Sequence, residues 1–313
     1  MSFFRSVCMS VYHLLSTLSV ILGSPLILGA VLYSDKWRKT ILYRSGFRQP
    51  DLEKFSRYPS EHRRPVWIHA LSVGETLSAV PLAVTMKKVI ADRPVVFSAS
   101  TLTGFQMAEH HLSGNLDAVF YFPYDLKWPL ERIVSHVNPC VVVIVETDIW
   151  PGFLHEMHHR SIPVFWVNAR LSQKSFTGYN RFGFLFRPLF NAFTFITVQT
   201  DRDLNRFLQL GVDAGRLMVA GNFKFDQLAP KADESVEKLV RILLPGSEKK
   251  ILIGGSTHDG EEIVLLSAFN TLRLGFPELR LILAPRDPNR SRDISRLADE
   301  AGLSVRMISE MMA

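Results

Sequence analysis

Val66-Trp67-Ile68-His69-Ala70-Leu71-Ser72-Val73-Gly74-Glu75 is the stretch that decides how this chain folds. Its first residues form a short apolar run of the kind that makes a buried strand. A helical pattern then begins with Leu77, Val80, Pro81 and Val84. A strand that breaks over a glycine into a helix is the junction at which α/β proteins place their chemistry. Glu75 falls in the first turn of that helix, at the carboxyl edge of the sheet. Ser72-x-x-Glu75 also matches a capping box, in which the acid only accepts from a backbone N–H. Both roles are open at this point.

The same alternation continues on the C-terminal side. Residues 94–99, 118–122, 141–145, 163–167 and 193–198 read as strands, the run at 141–145 being entirely β-branched. Between them, residues 101–111 and 126–137, the segment after Pro151, a Phe-rich region to about Phe190 and residues 201–210 read as helices. Strands alternating with helices predict a parallel sheet with right-handed crossovers, a Rossmann-like domain. A change of composition over 221–248 marks a domain boundary. A second α/β pattern follows, with strands at 250–254 and 279–283 and helices at 260–272 and 289–301.

On the N-terminal side, residues 11–33 contain no Asp, Glu, Lys or Arg, which is long enough to span a bilayer. Arg5 precedes the run, whereas Lys36, Arg38, Lys39, Arg44 and Arg48 follow it, so the body is expected on the cytoplasmic side. A cleaved signal peptide fits less well, because its basic residues would come first. Pro25 also allows a kinked helix lying on the membrane. The expected organisation is an anchor at 1–34, an N-terminal Rossmann-like domain at 35–220 and a C-terminal domain at 221–313.

The chain has 313 residues, 47% of them hydrophobic, with a net charge of +6. A basic balance favours anionic partners. The charges are scattered rather than clustered, which argues against a nucleic-acid surface. The two cysteines, Cys8 and Cys140, do not suggest a disulfide framework, and the body is expected in a reducing compartment.

Several strand ends carry polar residues suited to chemistry. Glu146 directly follows the 141–145 strand, in Glu146-Thr147-Asp148-Ile149-Trp150-Pro151. Its structural alternative is an acid near the helix N-terminus at Pro151. Gly254-Gly255-Ser256-Thr257-His258-Asp259-Gly260-Glu261 offers glycines and hydroxyls at a helix start, suited to a phosphate, although it matches no standard phosphate-loop spacing. Ala284-Pro285-Arg286 ends the next strand with a guanidinium that suits a phosphate or carboxylate. His155-Glu156-Met157-His158-His159 matches the H-E-x-x-H zinc pattern. It lies on a crossover helix and lacks a downstream third ligand in the usual spacing, so a polar helix face is the expected outcome and no metal is assigned.

Taken in order, these pieces resemble the Kdo transferases of lipopolysaccharide synthesis, the 3-deoxy-D-manno-octulosonic acid transferases. The matching segments are Trp67-Ile68-His69-Ala70-x-Ser72-Val73-Gly74-Glu75, Thr101-x-Thr103-Gly104, Glu146-Thr147-x-x-Trp150-Pro151 and Val167-Asn168-Ala169-Arg170-Leu171-Ser172. Arg206-Phe207-x-x-Leu210-Gly211, Gly221-Asn222-x-Lys224-Phe225-Asp226, Gly255-Ser256-Thr257-His258-x-Gly260-Glu261-Glu262 and Pro285-Arg286 follow. The resemblance implies a GT-B fold, with two Rossmann-like domains, and an enzyme that moves Kdo from CMP-Kdo to a lipid A precursor at the cytoplasmic face of the inner membrane, with no cofactor. It implies Glu75 as the general base, Glu146 and Lys224 as stabilisers of the transition state, and Pro285 and Arg286 as part of the donor site; Ser256 and Thr257 join that site on the phosphate-type reading of their own loop. Arg170 and Arg181 are candidate partners for the acceptor's phosphates, and the Phe-rich stretch 182–193 is a candidate for contact with its acyl chains, core packing being the stronger expectation for that stretch.

Two departures accompany the resemblance. Asp287 stands where the family has a His after Pro-Arg, and the family's later Gly-rich and Gly-Gly-His-Asn-x-x-Glu segments are missing. The expectation is therefore a C-terminally truncated member whose 313 residues alone transfer Kdo poorly or not at all. The alternative is an inactive membrane-attached remnant that binds the lipid acceptor without catalysis. A membrane zinc peptidase resting on His155 and His159 is a distant third.

Overall fold

A computed structural model describes residues 2–48, 50–146, 149–225 and 250–311. Thr147, Asp148 and Asp226, which belong to the sequence motifs, lie outside the described residues, as does most of the 221–248 boundary region. The chain divides into two compact units, Met1–Leu228 and Ala229–Ala313.

The first unit holds a seven-stranded sheet of β1 (Val66–Ala70), β2 (Val95–Ala99), β3 (Ala118–Tyr121), β4 (Val141–Val145), β5 (Val164–Ala169), β6 (Phe195–Val198) and β7 (Leu217–Val219). The order is β3-β2-β1-β4-β5-β6-β7 and every pairing is parallel. Helices α1 (Ser2–Tyr33) and α2 (Asp35–Arg44) precede it. The crossovers are α3 (Val73–Val89), α4 (Leu102–Leu112), α5 (Lys127–Val137), α6 (Pro151–His159), α7 (Gln173–Arg181), α8 (Gly183–Phe190) and α9 (Asp201–Gln209).

Successive strand residues point to opposite faces, and here both faces are covered. Trp67, Val96, Val142, Ile144 and Trp166 enter one core, and Ile68, Phe97, Val143 and Val145 the other. This double burial is why β1 and β4 read as unbroken apolar runs rather than as alternating ones. The Phe-rich region is two helices that meet at Phe182. Phe190 and Phe193 pack on the Trp166 indole with centroids 6.3 and 5.0 Å away. β7 escaped the sequence pattern because it is a three-residue edge strand with only Leu217 buried.

At the amino edge of the sheet, Asp117 is buried and accepts from the Val95 N–H at 2.8 Å, the Tyr58 hydroxyl at 2.8 Å and Lys87 Nζ at 2.8 Å. Arg57 also reaches it. Burial alone would raise its pKa, but the Lys87 and Val95 hydrogen bonds outweigh burial and hold the carboxyl below the usual aspartate value.

The second unit contains β8 (Ile251–Thr257) and β9 (Arg280–Pro285), paired in parallel, with α10 (Glu261–Gly275), α11 (Ser291–Glu300) and α12 (Ile308–Met311). These are the strand–helix pairs expected from the sequence, with β8 running three residues further than predicted.

Candidate active site

The strand order places β1 beside β4, and from there the crossovers lead in opposite directions, to β2 on one side and β5 on the other. In an open α/β sheet this switch point leaves a crevice at the carboxyl ends of the two strands. Glu75 follows β1 and Glu146 follows β4, so the two carboxylates flank that crevice.

Glu75 does form the capping box: its Oε2 accepts from the Leu71 N–H at 2.8 Å and the Ser72 N–H at 3.3 Å. The residue is buried. The neighbouring α4 packs against this loop. Thr101 caps α4 by accepting from the Gly104 N–H at 3.0 Å, and its own N–H donates to Leu71 O at 3.2 Å. A Cβ on Gly104 would stand 2.8 Å from Thr101 Oγ1 and 3.3 Å from Leu71 O, so the Thr101-x-Thr103-Gly104 segment is the packing partner of the Glu75 loop.

Glu146 adopts a left-handed backbone, φ 67°. Such a conformation costs roughly 1–3 kcal/mol in a non-glycine residue and persists only where its surroundings fix it. Here the Glu146 N–H donates to Val167 O at 2.9 Å and the Trp166 indole N–H donates to the Glu146 carbonyl. The carboxylate is buried, and Lys224 Nζ lies 3.1 Å from its Oε1 and 3.5 Å from its Oε2.

Lys224 reaches Glu146 from a tight turn, Phe223–Phe225, that also packs against α3, the helix that Glu75 begins. The turn is held by two asparagines. Asn222 Oδ1 accepts from Asn168 Nδ2 at 3.3 Å and from the Lys224 N–H at 3.1 Å, and Asn168 Oδ1 accepts from the Phe223 N–H at 3.4 Å. Asn168 itself is left-handed, φ 57°. The sequence placed Lys224 in the second domain; it goes with the first unit, because its ammonium is held by Glu146. Sequence reasoning did not single out Asn168 and Asn222 as site residues. The available signal was an Asn at the carboxyl end of a strand, one of the few residues that tolerates this backbone.

His69 is a core residue. Its Nδ1 lies 2.9 Å from Ser98 Oγ, and its ring stacks on Phe122 at 3.9 Å. The Arg206 segment is also structural: Arg206 Nη2 donates to Gln173 Oε1 at 2.8 Å, and Phe207 and Leu210 are buried.

In the second unit, Ser256–Thr257 and Pro285–Arg286 come side by side at the carboxyl ends of β8 and β9. Thr257 pairs with Pro285, and the Arg286 N–H donates to Thr257 O at 3.0 Å. Ser256 is left-handed, φ 56°, and exposed, as is Arg286. The Thr257 hydroxyl donates instead to Glu262 Oε1 at 2.8 Å. Glu262 is fully buried and gripped by Arg290, at 2.9 Å to Oε1 and 3.2 Å to Oε2. Burial would raise the Glu262 pKa, but the Arg290 and Thr257 hydrogen bonds lower it below the usual value. Asp287, the departure from the family pattern, accepts from the Asn289 N–H at 3.0 Å and so opens the turn that delivers Arg290.

Among the other candidates, Arg170, Arg181, Phe182 and Phe184 are exposed. Glu156 of the H-E-x-x-H segment is paired with Arg160 at 2.6 Å, and the His155 ring faces that of His13 at 6.5 Å.

A profile described as 3-Deoxy-D-manno-octulosonic-acid transferase (kdotransferase) matches residues 50–227. The chain is 30% identical over 257 residues to the 3-deoxy-D-manno-octulosonic acid transferase of Haemophilus influenzae, covering 80% of this chain and 59% of that protein. It is 29% identical over 287 residues to the Chlamydophila psittaci protein of the same name, covering 90% of this chain and 63% of that one. The chain thus spans about three fifths of the length of these relatives. In structure it resembles the UDP-GlcNAc 2-epimerase of Neisseria meningitidis, with a TM-score of 0.52 at 14% identity, covering 79% of this chain and 74% of that one. At that identity the likeness speaks for the fold alone, an α/β fold of the GT-B type.

Proposed function

The chain belongs to the 3-deoxy-D-manno-octulosonic-acid transferase family, and we propose that it takes part in lipopolysaccharide synthesis by transferring Kdo from CMP-Kdo to a lipid A precursor. In this reading Glu75 removes the proton from the acceptor hydroxyl, and that oxygen bonds to the anomeric carbon of Kdo with inversion. CMP leaves with the electron pair of the broken bond. A sugar hydroxyl is a weak nucleophile until a positioned base takes its proton. Lys224, paired with Glu146, supplies the cation that favours anionic charge developing nearby. Ser256, Thr257, Pro285 and Arg286 would bind CMP-Kdo, with Thr257 acting mainly through its backbone because its hydroxyl is held by Glu262. Helix α1 would keep the protein at the inner membrane, with the body in the cytoplasm.

The observation that carries this reading is the Glu146–Lys224 pair, held on a left-handed backbone at the switch point and joined through the Lys224 turn to the helix that Glu75 caps. One observation favours a second reading, acceptor binding without catalysis. Within the described residues the second unit pairs only two strands, and Ile253 of β8 is 64% exposed. A donor site on so open a sheet binds weakly, because ordering costs subtract from affinity. The experiment is to purify the chain in detergent, titrate the lipid A precursor, and then measure Kdo incorporation from CMP-Kdo. Transfer that Glu75→Gln abolishes supports catalysis. Acceptor binding with no transfer supports the second reading, and absence of both refutes the proposal.

A further inference from the structure

We propose that Glu262 and Arg290 are positioning residues, which lock the loop after β8 and the loop after β9 into one preformed cradle for the anionic nucleotide of the donor. The inference deepens the proposed function and rests on its reading of Ser256, Thr257, Pro285 and Arg286 as the donor site.

Strand pairing alone does not hold the first loop. The register slips between Gly255 and Thr257, which leaves Ser256 out of the ladder with β9. Ser256 is exposed and its backbone is left-handed, φ 56°. A non-glycine residue keeps such a backbone only where its neighbours fix it. On one side, Gly254 leaves the strand no room to shift: a Cβ there would stand 2.5 Å from Leu265 Cδ1 and 2.8 Å from Leu283 Cδ2. On the other side, Thr257 is pinned twice. Its carbonyl accepts from the Arg286 N–H at 3.0 Å, and its hydroxyl donates to Glu262 Oε1 at 2.8 Å.

Glu262 reaches both loops at once. It is fully buried in the first turn of α10. Besides the Thr257 hydroxyl it accepts from Arg290 Nη1 at 2.9 Å and Nη2 at 3.2 Å. Arg290 closes the short turn Pro288–Arg290, which Asp287 opens by accepting from the Asn289 N–H at 3.0 Å. Arg286 immediately precedes that turn, so fixing the Arg290 guanidinium also restricts the backbone of Arg286. Arg290 Nη2 donates in addition to Asp259 Oδ1 at 2.8 Å, and Asp259 belongs to the loop after β8.

Stability alone is a weak reason for such a pair. A buried ion pair loses in solvation about what it gains in attraction, and apolar side chains of similar volume often do as well or better. What apolar packing does not supply is direction. The guanidinium fork on a carboxylate sets orientation as well as distance. Ser256 and Arg286 therefore stand on strand ends that are ordered before a nucleotide arrives, and a ligand meeting such groups does not bear the cost of ordering them. The pair orders the loops, not the open faces of the sheet.

The test uses the whole chain in detergent, as wild type, Arg290→Lys, Glu262→Gln and, as a control on a nearby exposed cation, Arg292→Met. Calorimetry gives the Kd for CMP, hydrogen exchange reads the amides of 256–261 and 286–291, and thermal unfolding gives Tm. Lysine keeps the charge but not the fork, so Arg290→Lys is expected to raise the Kd roughly tenfold or more. Exchange should speed up in both loops together, with Tm little changed, and Arg292→Met should match the wild type. Glu262→Gln, of the same shape, is expected to act as Arg290→Lys does and carries the test if that variant does not fold. Equal CMP affinity in the wild type and the folded variant, or faster exchange confined to 286–291, overturns the proposal and leaves the donor reading standing. Absence of CMP binding by the wild type overturns the donor reading and the proposal with it.

Discussion

Replacing Glu75 separates holding from chemistry. The carboxylate accepts two backbone N–H groups, at 2.8 and 3.3 Å. Glu75→Gln keeps an acceptor oxygen in the same place and loses only the charge. A hydrogen bond to a charged group is worth about 1.5–3 kcal/mol net and a neutral one about 0.5–1.5. With one of the two bonds long, the loss is about 1 kcal/mol, or roughly 2–4 °C in Tm for a unit of this size. Glu75→Ala loses the shared acceptor oxygen and with it both hydrogen bonds, and about twice that stability.

Activity should rank differently. Neither Gln nor Ala can take a proton as a carboxylate does, so both should lower Kdo transfer by roughly two to four powers of ten. The assay pairs thermal unfolding in detergent with initial rates of label transfer from CMP-Kdo to a lipid A precursor. A cap that is also a base gives graded stability and equally low rates. Transfer by Glu75→Gln near the wild-type rate, or rates that simply follow stability across the two variants, would refute the reasoning.

Other expectations follow from the same contacts. Lys224→Met leaves Glu146 buried without its cation; because Lys224 is itself half exposed, stability should fall by only about 1 kcal/mol, while transfer falls much further than in Lys224→Arg. Gly104→Ala brings a methyl against Thr101 Oγ1 and Leu71 O and shifts the loop that holds Glu75, so kcat should drop with little change in Tm. Asp117→Asn should cost about 3 kcal/mol, the low end for breaking a buried pair, because Arg57 and Lys87 reach solvent. Since the folded Asp117 pKa lies below its unfolded value, its contribution is present at neutral pH and is lost as pH falls through the folded value. The wild type should therefore lose more stability than Asp117→Asn in acid, which denaturant unfolding at several pH values will read.

Much of the fold was legible because doubly buried strands leave unbroken β-branched runs, as at Val141–Val145, and because glycine and capping residues punctuate the helices. The strand order was not legible: nothing in the sequence states that β1 neighbours β4, yet that adjacency makes a site of Glu75 and Glu146. Each of those acids could be named, since each ends a strong strand pattern. The asparagines that hold Lys224 could not, because Asn168 and Asn222 act through side-chain hydrogen bonds between segments more than fifty residues apart. Thr257 was read as a ligand group from its loop. Its hydroxyl went to Glu262, a partner fixed only once Arg290 arrives from after β9.

The capping role of Glu75 and the proposed base role are not rivals. A general base works only if it is held where the acceptor proton will be, and holding it before substrate arrives removes an ordering cost from the reaction. Backbone N–H groups at a strand end are suitable for this, because the sheet fixes them and they have no rotamers to lose. Glu146 follows the same logic by another route: Trp166 and Val167 fix its backbone, and its carboxylate then fixes Lys224. In both cases the sheet edge sets the position and the side chain supplies the charge. Changes to the edge that leave the acids in place, such as Gly104→Ala, should therefore register in rate before they register in stability.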